Sequence, residues 1–332
     1  MFMNDARRWL RAYRPATIVA VVAALLVPAA AVAGGGSSPT ASASAAQINL
    51  RVAYVPSLQA MPVFVADKKG LFTRNGLKVK LTGSPNLGTF APALNRQYDI
   101  VFASSVDAIV AAGRGLNVVA FSGLSMETTK AKGLHLILGK DSGLTSASQL
   151  KGKTIGVPTL SGTLYVSTLA ALLRAGVNPK DVTFREVPFP QQLDQLNAGR
   201  IDATAVAEPF AAQQRAAGNK SLGDPFLAVA SPARSTMWIT NKGWAAKNAD
   251  AIARWRKTMG EAIAYIRAHP AEVRTIFEKA LKLPAGATSH SPLPSFQTKL
   301  TAAQLRPWVT ALDTTKVLPK SKAPDVNTMI LK

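Results

Sequence analysis

From residue 48 onward, short runs of apolar residues alternate with segments in which apolar positions recur every three or four residues. The first pattern predicts strands and the second helices. Residues 50–55 read as a strand. A helix follows, opened by Pro62, carrying Val63, Phe64 and Ala66, and stopped at Gly70. Proline is tolerated at such an opening because the first helical N–H groups lack an intrahelical acceptor. Leu77, Val79 and Leu81 alternate along a strand over 77–81, and a helix is expected over 89–95. Residues 99–103 form a continuous apolar run, the kind found in parallel strands covered on both faces. A helix over 106–113 and a strand over 117–121 extend the series. Strands and helices in strict alternation imply a parallel sheet with helices on both faces.

The series then repeats. Strands are expected over 154–157, 182–187 and 203–207, and helices over 164–175 and 191–198. On the first of these helices Tyr165, Leu169, Leu172 and Leu173 are spaced for one buried face. The segment at Leu94, Asn95 and Asp99 echoes that at Leu196, Asn197 and Asp202: a helix end, a turn, an acidic residue, then an apolar strand. Two similar α/β lobes follow from this. The C-terminal third differs. Residues 249–269 predict a long helix with Ile252, Trp255, Met259, Ile263 and Ile266 as its apolar stripe, Asp250 near its positive end and Pro270 beyond it. A shorter helix over 271–281 carries Val273, Ile276, Phe277 and Ala280, and another is expected over 302–312. These stripes read as core.

Ahead of the first strand the pattern changes kind. Arg7, Arg8, Arg11 and Arg14 precede an apolar run over 16–33 that ends Ala31-Val32-Ala33, the arrangement of a secretory signal peptide cleaved before Gly34. Residues 34–47 are almost all small or polar and read as a disordered tether. No cysteine follows the run, so a lipobox is lacking, and export to the periplasm or cell surface is expected. The 332-residue chain carries a net charge of +21; removing residues 1–33 takes four Arg and one Asp, leaving +18. Such a balance raises the possibility of nucleic acid. The basic residues are scattered, however, and no stretch interleaves them with aromatics for stacking, so no nucleic-acid partner is expected. The absence of cysteine removes thiolate chemistry, and His135, His269 and His290 lack ligand-like spacing. No metal or cofactor is expected.

In open α/β sheets, ligands bind beyond the carboxyl ends of the strands. That rule selects four loops: Pro56-Ser57-Leu58-Gln59 and Ser104-Ser105 in the first lobe, and Thr159-Leu160-Ser161-Gly162-Thr163 and Ala207-Glu208-Pro209-Phe210 in the second. Ser161, Gly162 and Thr163 open a helix, where N–H groups, two hydroxyls and a side-chain-free residue suit a polar or anionic group. Helix capping is the alternative role for Ser161, Thr163, Ser104 and Ser105. Tyr54 and Phe121 end strands near the cleft, where they would cover an apolar part of a ligand or pack in the core.

Four stretches in order carry a family resemblance: "LRVAYVPSLQAMPVFVADKKGLFTRNGLKVKL", "YDIVFASSVDAIVAAGRG", "KDSGLTSASQLKGKTIGVPTLSGT" and "LNAGRIDATAVAEPF". Together they resemble the extracellular solute-binding proteins of ABC transporters for nitrate, sulfonates, taurine and thiamine-pyrimidine precursors. The resemblance implies an α/β clamshell of the type II periplasmic-binding-protein-like kind, two βαβ lobes joined by crossover strands. It implies a first lobe of residues 48–138 plus 227–332, a second of 139–226, and crossing strands at His135 to Leu138 and Met237 to Thr240. It also implies a monomer that binds a small polar or anionic organic molecule between the lobes and delivers it to a membrane permease with its ATPase.

Glu208 discriminates between ligands on this reading. Facing the cleft, it would favour an amine-bearing solute; paired at the hinge, with Arg114 or Arg185 as candidates, it would leave an anion allowed. An enzyme on the same architecture, pyrimidine synthase-like or chorismate-dehydratase-like, is the alternative. The synthase's Cys-rich motif is missing here, and the signal argues against an intracellular enzyme. A receptor module presenting its ligand to a sensor is the third reading.

Overall fold

The computed structural model describes residues 47–84 and 87–332. The signal-peptide reading, and the tether up to residue 46, lie outside the described residues. The elements in chain order are β1 (Ile48–Tyr54), α1 (Met61–Lys68), α2 (Leu71–Arg74), β2 (Leu77–Gly83), α3 (Phe90–Ala93), β3 (Ile100–Ser104), α4 (Ser105–Gly113) and β4 (Val118–Glu127). Then come β5 (Leu134–Leu138), β6 (Thr154–Val157), α5 (Gly162–Arg174), β7 (Thr183–Glu186), α6 (Phe189–Asn197), β8 (Ala203–Ala207), α7 (Phe210–Ala216) and β9 (Lys220–Ser221). The remainder is β10 (Ala233–Asn241), α8 (Lys242–Lys247), α9 (Ala249–Ala268), α10 (Pro270–Ala280), β11 (Ser295–Phe296) and α11 (Ala302–Thr314).

The strands form two sheets. The first has the order β11-β4-β10-β3-β1-β2, and the second β7-β6-β8-β5-β9. In the first, β1 runs parallel to β2 and β3, while β10 is antiparallel to β3 and β4. In the second, β6 runs parallel to β7 and β8, and β5 is antiparallel to β8 and β9. Each sheet is thus a parallel βαβ core with antiparallel strands added, β10 and β11 in the first and β5 in the second. The segments from β4 to β5 and from β9 to β10 cross between the sheets. Residues 134–138, expected with the first lobe, hydrogen-bond into the second sheet along the whole of β8.

Burial explains most element boundaries. All five residues of β3 and of β8 are buried, as a doubly covered strand requires. The apolar stripe of α9 is buried in full, and Trp255 stacks on Phe72 at 5.5 Å and meets Trp238 edge-on at 5.1 Å. Differences from the sequence pattern have local causes. On α5 the buried set is Leu164, Val166, Leu169 and Leu172, whereas Leu173 is exposed, because the helix turns its inner face toward α4 and residues 225–228. On α10, Ala280 is exposed and Glu278 is buried, its carboxylate taken by Thr288 and the Gly286 N–H. The helix expected over 89–95 is a single turn, because the chain leaves helical geometry at Leu94 (ψ 143°) and turns at Asn95 (φ +68°). β4 runs to Glu127, well past residue 121. Gly123 within it has a reason: a Cβ there would sit 2.5 Å from the Gln297 carbonyl.

Among the described residues, no helix is long and apolar enough to cross a membrane. Nor, among them, does any group of three or more His, Asp or Glu stand ready to hold a metal ion.

Candidate functional site

Between the two sheets lies a cavity of about 80 Å³, room for several waters or a compact solute. Its walls are the carboxyl ends of the parallel strands and the beginnings of the antiparallel β5 and β10. The first sheet supplies Val55, Ser57 and Gln59 after β1, Phe102 and Ser104 on β3, and Ser235 and Thr236 on β10. The second supplies Leu134 on β5, the loop from Pro158 to Leu164 after β6, Phe189 on α6 and Ala207 on β8. A wider groove of about 560 Å³ adjoins it, sharing Val55, Pro158, Thr159 and Phe189. Pro56, Pro188 and Pro190 help to rim this groove, and Phe210 stacks on Phe189 at 5.8 Å.

Seven of the twelve residues singled out from the sequence line the cavity: Ser57, Gln59, Ser104, Thr159, Ser161, Gly162 and Thr163. Each has a distinct hydrogen-bonding state. Ser57 is only 4% exposed, and its Oγ has no partner among the described residues. A buried hydroxyl without a partner costs free energy that a ligand contact would recover. Gln59 Nε2 donates to Glu127 Oε1 (3.0 Å) and Ser235 Oγ (2.9 Å), which fixes the amide with its carbonyl oxygen still available. Ser104 caps α4, accepting from the Asp107 N–H at 3.1 Å and donating to the Asp107 carboxylate. Thr163 Oγ1 accepts from the Val106 N–H across the sheets at 3.2 Å, leaving its hydroxyl hydrogen to donate. Thr159 Oγ1 donates to the Ser161 carbonyl at 2.6 Å. Ser161 is the cap residue of α5, yet its side chain makes no capping bond. Gly162 adopts φ +82°, a backbone that L side chains rarely take.

The other five stand elsewhere. Tyr54 meets Phe64 edge-on at 5.0 Å, and Phe64 meets Phe277, an aromatic row under α1 rather than a cavity wall. Ser105 is fully buried, with its Oγ donating to the Arg234 carbonyl at 2.7 Å. Phe121 is buried in β4, packed into the first sheet. Pro209 leads into α7, two residues beyond the lining residue Ala207. Glu208 is 2% exposed and fully engaged: Arg215 donates to Oε1 at 2.6 Å, His135 Nε2 lies 3.4 Å from it, and Oε2 takes the Ala212 N–H and the Ser291 hydroxyl. Burial pushes the Glu208 pKa up, but the bonds from His135, Arg215 and Ser291 outweigh it and hold the carboxyl below its ordinary value. The pairing foreseen for Glu208 exists, but its partner is Arg215 rather than Arg114 or Arg185.

Other lining residues carried little signal in the sequence. Phe189 follows β7, so the carboxyl-end rule applied to that strand finds it. Ser235 and Thr236 sit on β10, whose antiparallel entry brings its beginning, not its end, to the cavity. Phe226 and Leu134 belong to the crossing segments.

Beneath Gln59 and Ser235 lies a pair of buried carboxyls that ties the crossings together. Glu127, at the end of β4, accepts from Gln59 and from the Gly133 N–H (2.7 Å). Asp224, on the returning segment, accepts the Phe226 N–H through Oδ1, and its Oδ2 has no donor. A proton on Oδ2, shared with Glu127, resolves that vacancy. Burial and the neighbouring Glu127 push Asp224 up to about 9, so it holds a proton at neutral pH, and burial raises the Glu127 pKa as well.

Two α/β sheets, crossed twice by the chain and enclosing a cavity at their strand ends, define the periplasmic-binding-protein-like class. The chain belongs to the NMT1/THI5-like family, whose model matches residues 57–273. It is 28% identical over 156 residues to the riboflavin-binding protein RibY of Chloroflexus aurantiacus, covering 46% of this chain and 43% of that protein. The chain spans about half the length of the curated relatives it matches. Among solved structures it resembles the alkanesulfonate-binding protein SsuA of Xanthomonas axonopodis pv. citri bound to MOPS, with TM-score 0.72 and 19% identity over 87% of this chain and 99% of that one. It also resembles the periplasmic nitrate-binding protein NrtA of Synechocystis PCC 6803, with TM-score 0.71 and 15% identity over 86% of each chain.

Proposed function

We propose that the chain is the exported solute-binding component of an ABC importer. It takes a small polar or anionic organic molecule between its lobes and hands it to a membrane permease driven by an ATPase. The observation that carries this reading is the cavity between the sheets whose opposite walls both present hydrogen-bonding groups: Ser57 Oγ and the Gln59 carbonyl on one side, the Ser161 hydroxyl and the Thr163 hydroxyl hydrogen on the other. A solute bridging them stabilises the closed arrangement over an open one, which is all the mechanism requires. Among the described residues, the lining side chains hold no carboxylate, imidazole or amine. The cavity is therefore equipped to bind a solute, not to move its protons, which favours carriage over catalysis. The solutes in the relatives' names, an alkanesulfonate, nitrate and riboflavin, differ widely, so in this chain the lining sets the choice.

The test is a thermal-shift screen of the purified chain against sulfonates, nitrate, taurine and aminopyrimidines, followed by calorimetry on any hit. A cognate solute at 100 times its Kd adds about 2.7 kcal/mol of stability. A Ser57→Ala or Thr163→Ala variant is expected to weaken its binding about five- to tenfold, the worth of one hydrogen bond. A panel in which no solute stabilises the protein, or one whose hit binds both variants unchanged, overturns the assignment.

A further inference from the structure

The N-terminal ends of α4 and α5 meet at the cavity. The Val106 N–H, in the first turn of α4, donates to Thr163 Oγ1, in the first turn of α5. Helix N-termini favour negative charge, and two that converge from opposite lobes do so together. In this chain a negative group already stands at that point. Asp107 occupies the first turn of α4 and receives the Ser104 hydroxyl. Across the gap it faces α5 so closely that a Cβ on Gly162 would lie 3.3 and 3.4 Å from its two carboxylate oxygens. The missing side chain at Gly162 is what lets the carboxylate reach the α5 end. Asp107 makes no ion pair among the described residues; burial pushes its pKa up to about 6, which leaves it largely ionised at neutral pH.

A second carboxyl, this one buried, backs the opposite end of the cavity. Glu127 lies behind Gln59 and Ser235, held by the Gln59 amide. Ser104 and Gly162 line the cavity in front of Asp107, and Gln59 and Ser235 line it in front of Glu127. Among the described residues, no Lys, Arg or His side chain lines the cavity. What the cavity does offer is the unpartnered, 4% exposed Ser57 hydroxyl and the Gln59 carbonyl, groups that suit uncharged donors and acceptors.

We infer that Asp107 is a specificity-determining residue: an internal carboxylate that fills the anion-favouring point between α4 and α5 and turns the cavity against anionic solutes, toward uncharged or cationic ones. The inference rests on the solute-binding reading and narrows it, setting aside sulfonates and nitrate-like anions.

The experiment titrates the purified full chain with sodium methanesulfonate and sodium nitrate, against sodium chloride at matched ionic strength, by calorimetry and thermal shift. Wild type, Asp107→Asn and Asp107→Ser are compared. Asn keeps an acceptor for Ser104, and Ser makes room for the probe. The expected result is no saturable binding to wild type. At least one variant should bind methanesulfonate with a Kd at least about tenfold below any wild-type value, the scale of removing a nearby like charge in protein surroundings. Wild type binding either anion as tightly as the variants overturns the inference. So does the absence of any gain in both variants. A panel of uncharged solutes on wild type separates the two readings. Variants that gain methanesulfonate while no solute stabilises wild type uphold the role of Asp107 and sink the transport reading. An uncharged hit on wild type with no gain in the variants does the reverse.

Discussion

Glu208 shows how far a single residue's role depends on its surroundings. Its place after β8 put it at the cleft, yet both carboxylate oxygens are spent on Arg215, His135, Ala212 and Ser291. Ser291 belongs to the chain after α10, so Glu208 fastens the second sheet's last loop to the C-terminal segment. Glu208→Ala strands the Arg215 guanidinium, itself partly solvated, and is expected to cost on the order of 2–3 kcal/mol by urea denaturation. Solute affinity should stay within about twofold of wild type, since Glu208 is not among the residues that line the cavity. A calorimetric loss of tenfold or more would place Glu208 back in the ligand's reach. The hydroxyls were easier to read than the carboxylates. Ser57, Ser161 and Thr163 follow directly from strand-end loops. Asp107, Glu127 and Asp224 sit one layer behind, and nothing in their spacing announces what they face.

At the level of elements, the periodic strands and helices were legible because one physical pattern, burial on one or both faces, fixes each of them. β3, β6 and β8 fall within a residue of where their apolar runs place them. What stayed hidden depends on partners distant in sequence. The far half of β4 is polar at Ser122 and Ser125, and it is held as strand by pairing with β10. β5 carries an ordinary apolar strand pattern, and only its pairing with β8 assigns it to the second sheet. The crossings also carry a pH dependence. Asp224, ordinarily ionised above about pH 4, is pushed up to about 9 by burial and by Glu127. Between those values the folded chain keeps a proton that the unfolded chain has released. Its contribution to stability is therefore full below about pH 4 and is lost progressively as pH rises through 9. Relative to Asp224→Asn, wild type should lose several degrees of thermal midpoint between pH 5 and pH 9 in a calorimetric series. Parallel pH profiles for the two proteins would show that no shared proton exists.

On the scale of the whole molecule, the two sheets do not meet through the cavity alone. α11, from the C-terminal part of the chain, packs on both α4 and α5, and its Trp308 is completely buried. The indole Nε1 donates to the Arg234 carbonyl at 2.8 Å, on the strand that also presents Ser235 and Thr236. Its ring meets Phe226 edge-on at 5.0 Å, and Phe226 lines the cavity. The molecule therefore carries its own optical gauge. Any movement of the lobes that shifts Phe226 or the Arg234 carbonyl alters the polarity around one indole, so solute binding should change the intrinsic emission without a dye. Trp308→Phe should abolish most of that change while leaving calorimetric affinity within about threefold, a swap of one buried aromatic for a smaller one. An emission change that survives the substitution and is abolished by replacing Trp238 or Trp255, both fully buried, would mean that closure is felt deep in the first sheet rather than at its seam with the second.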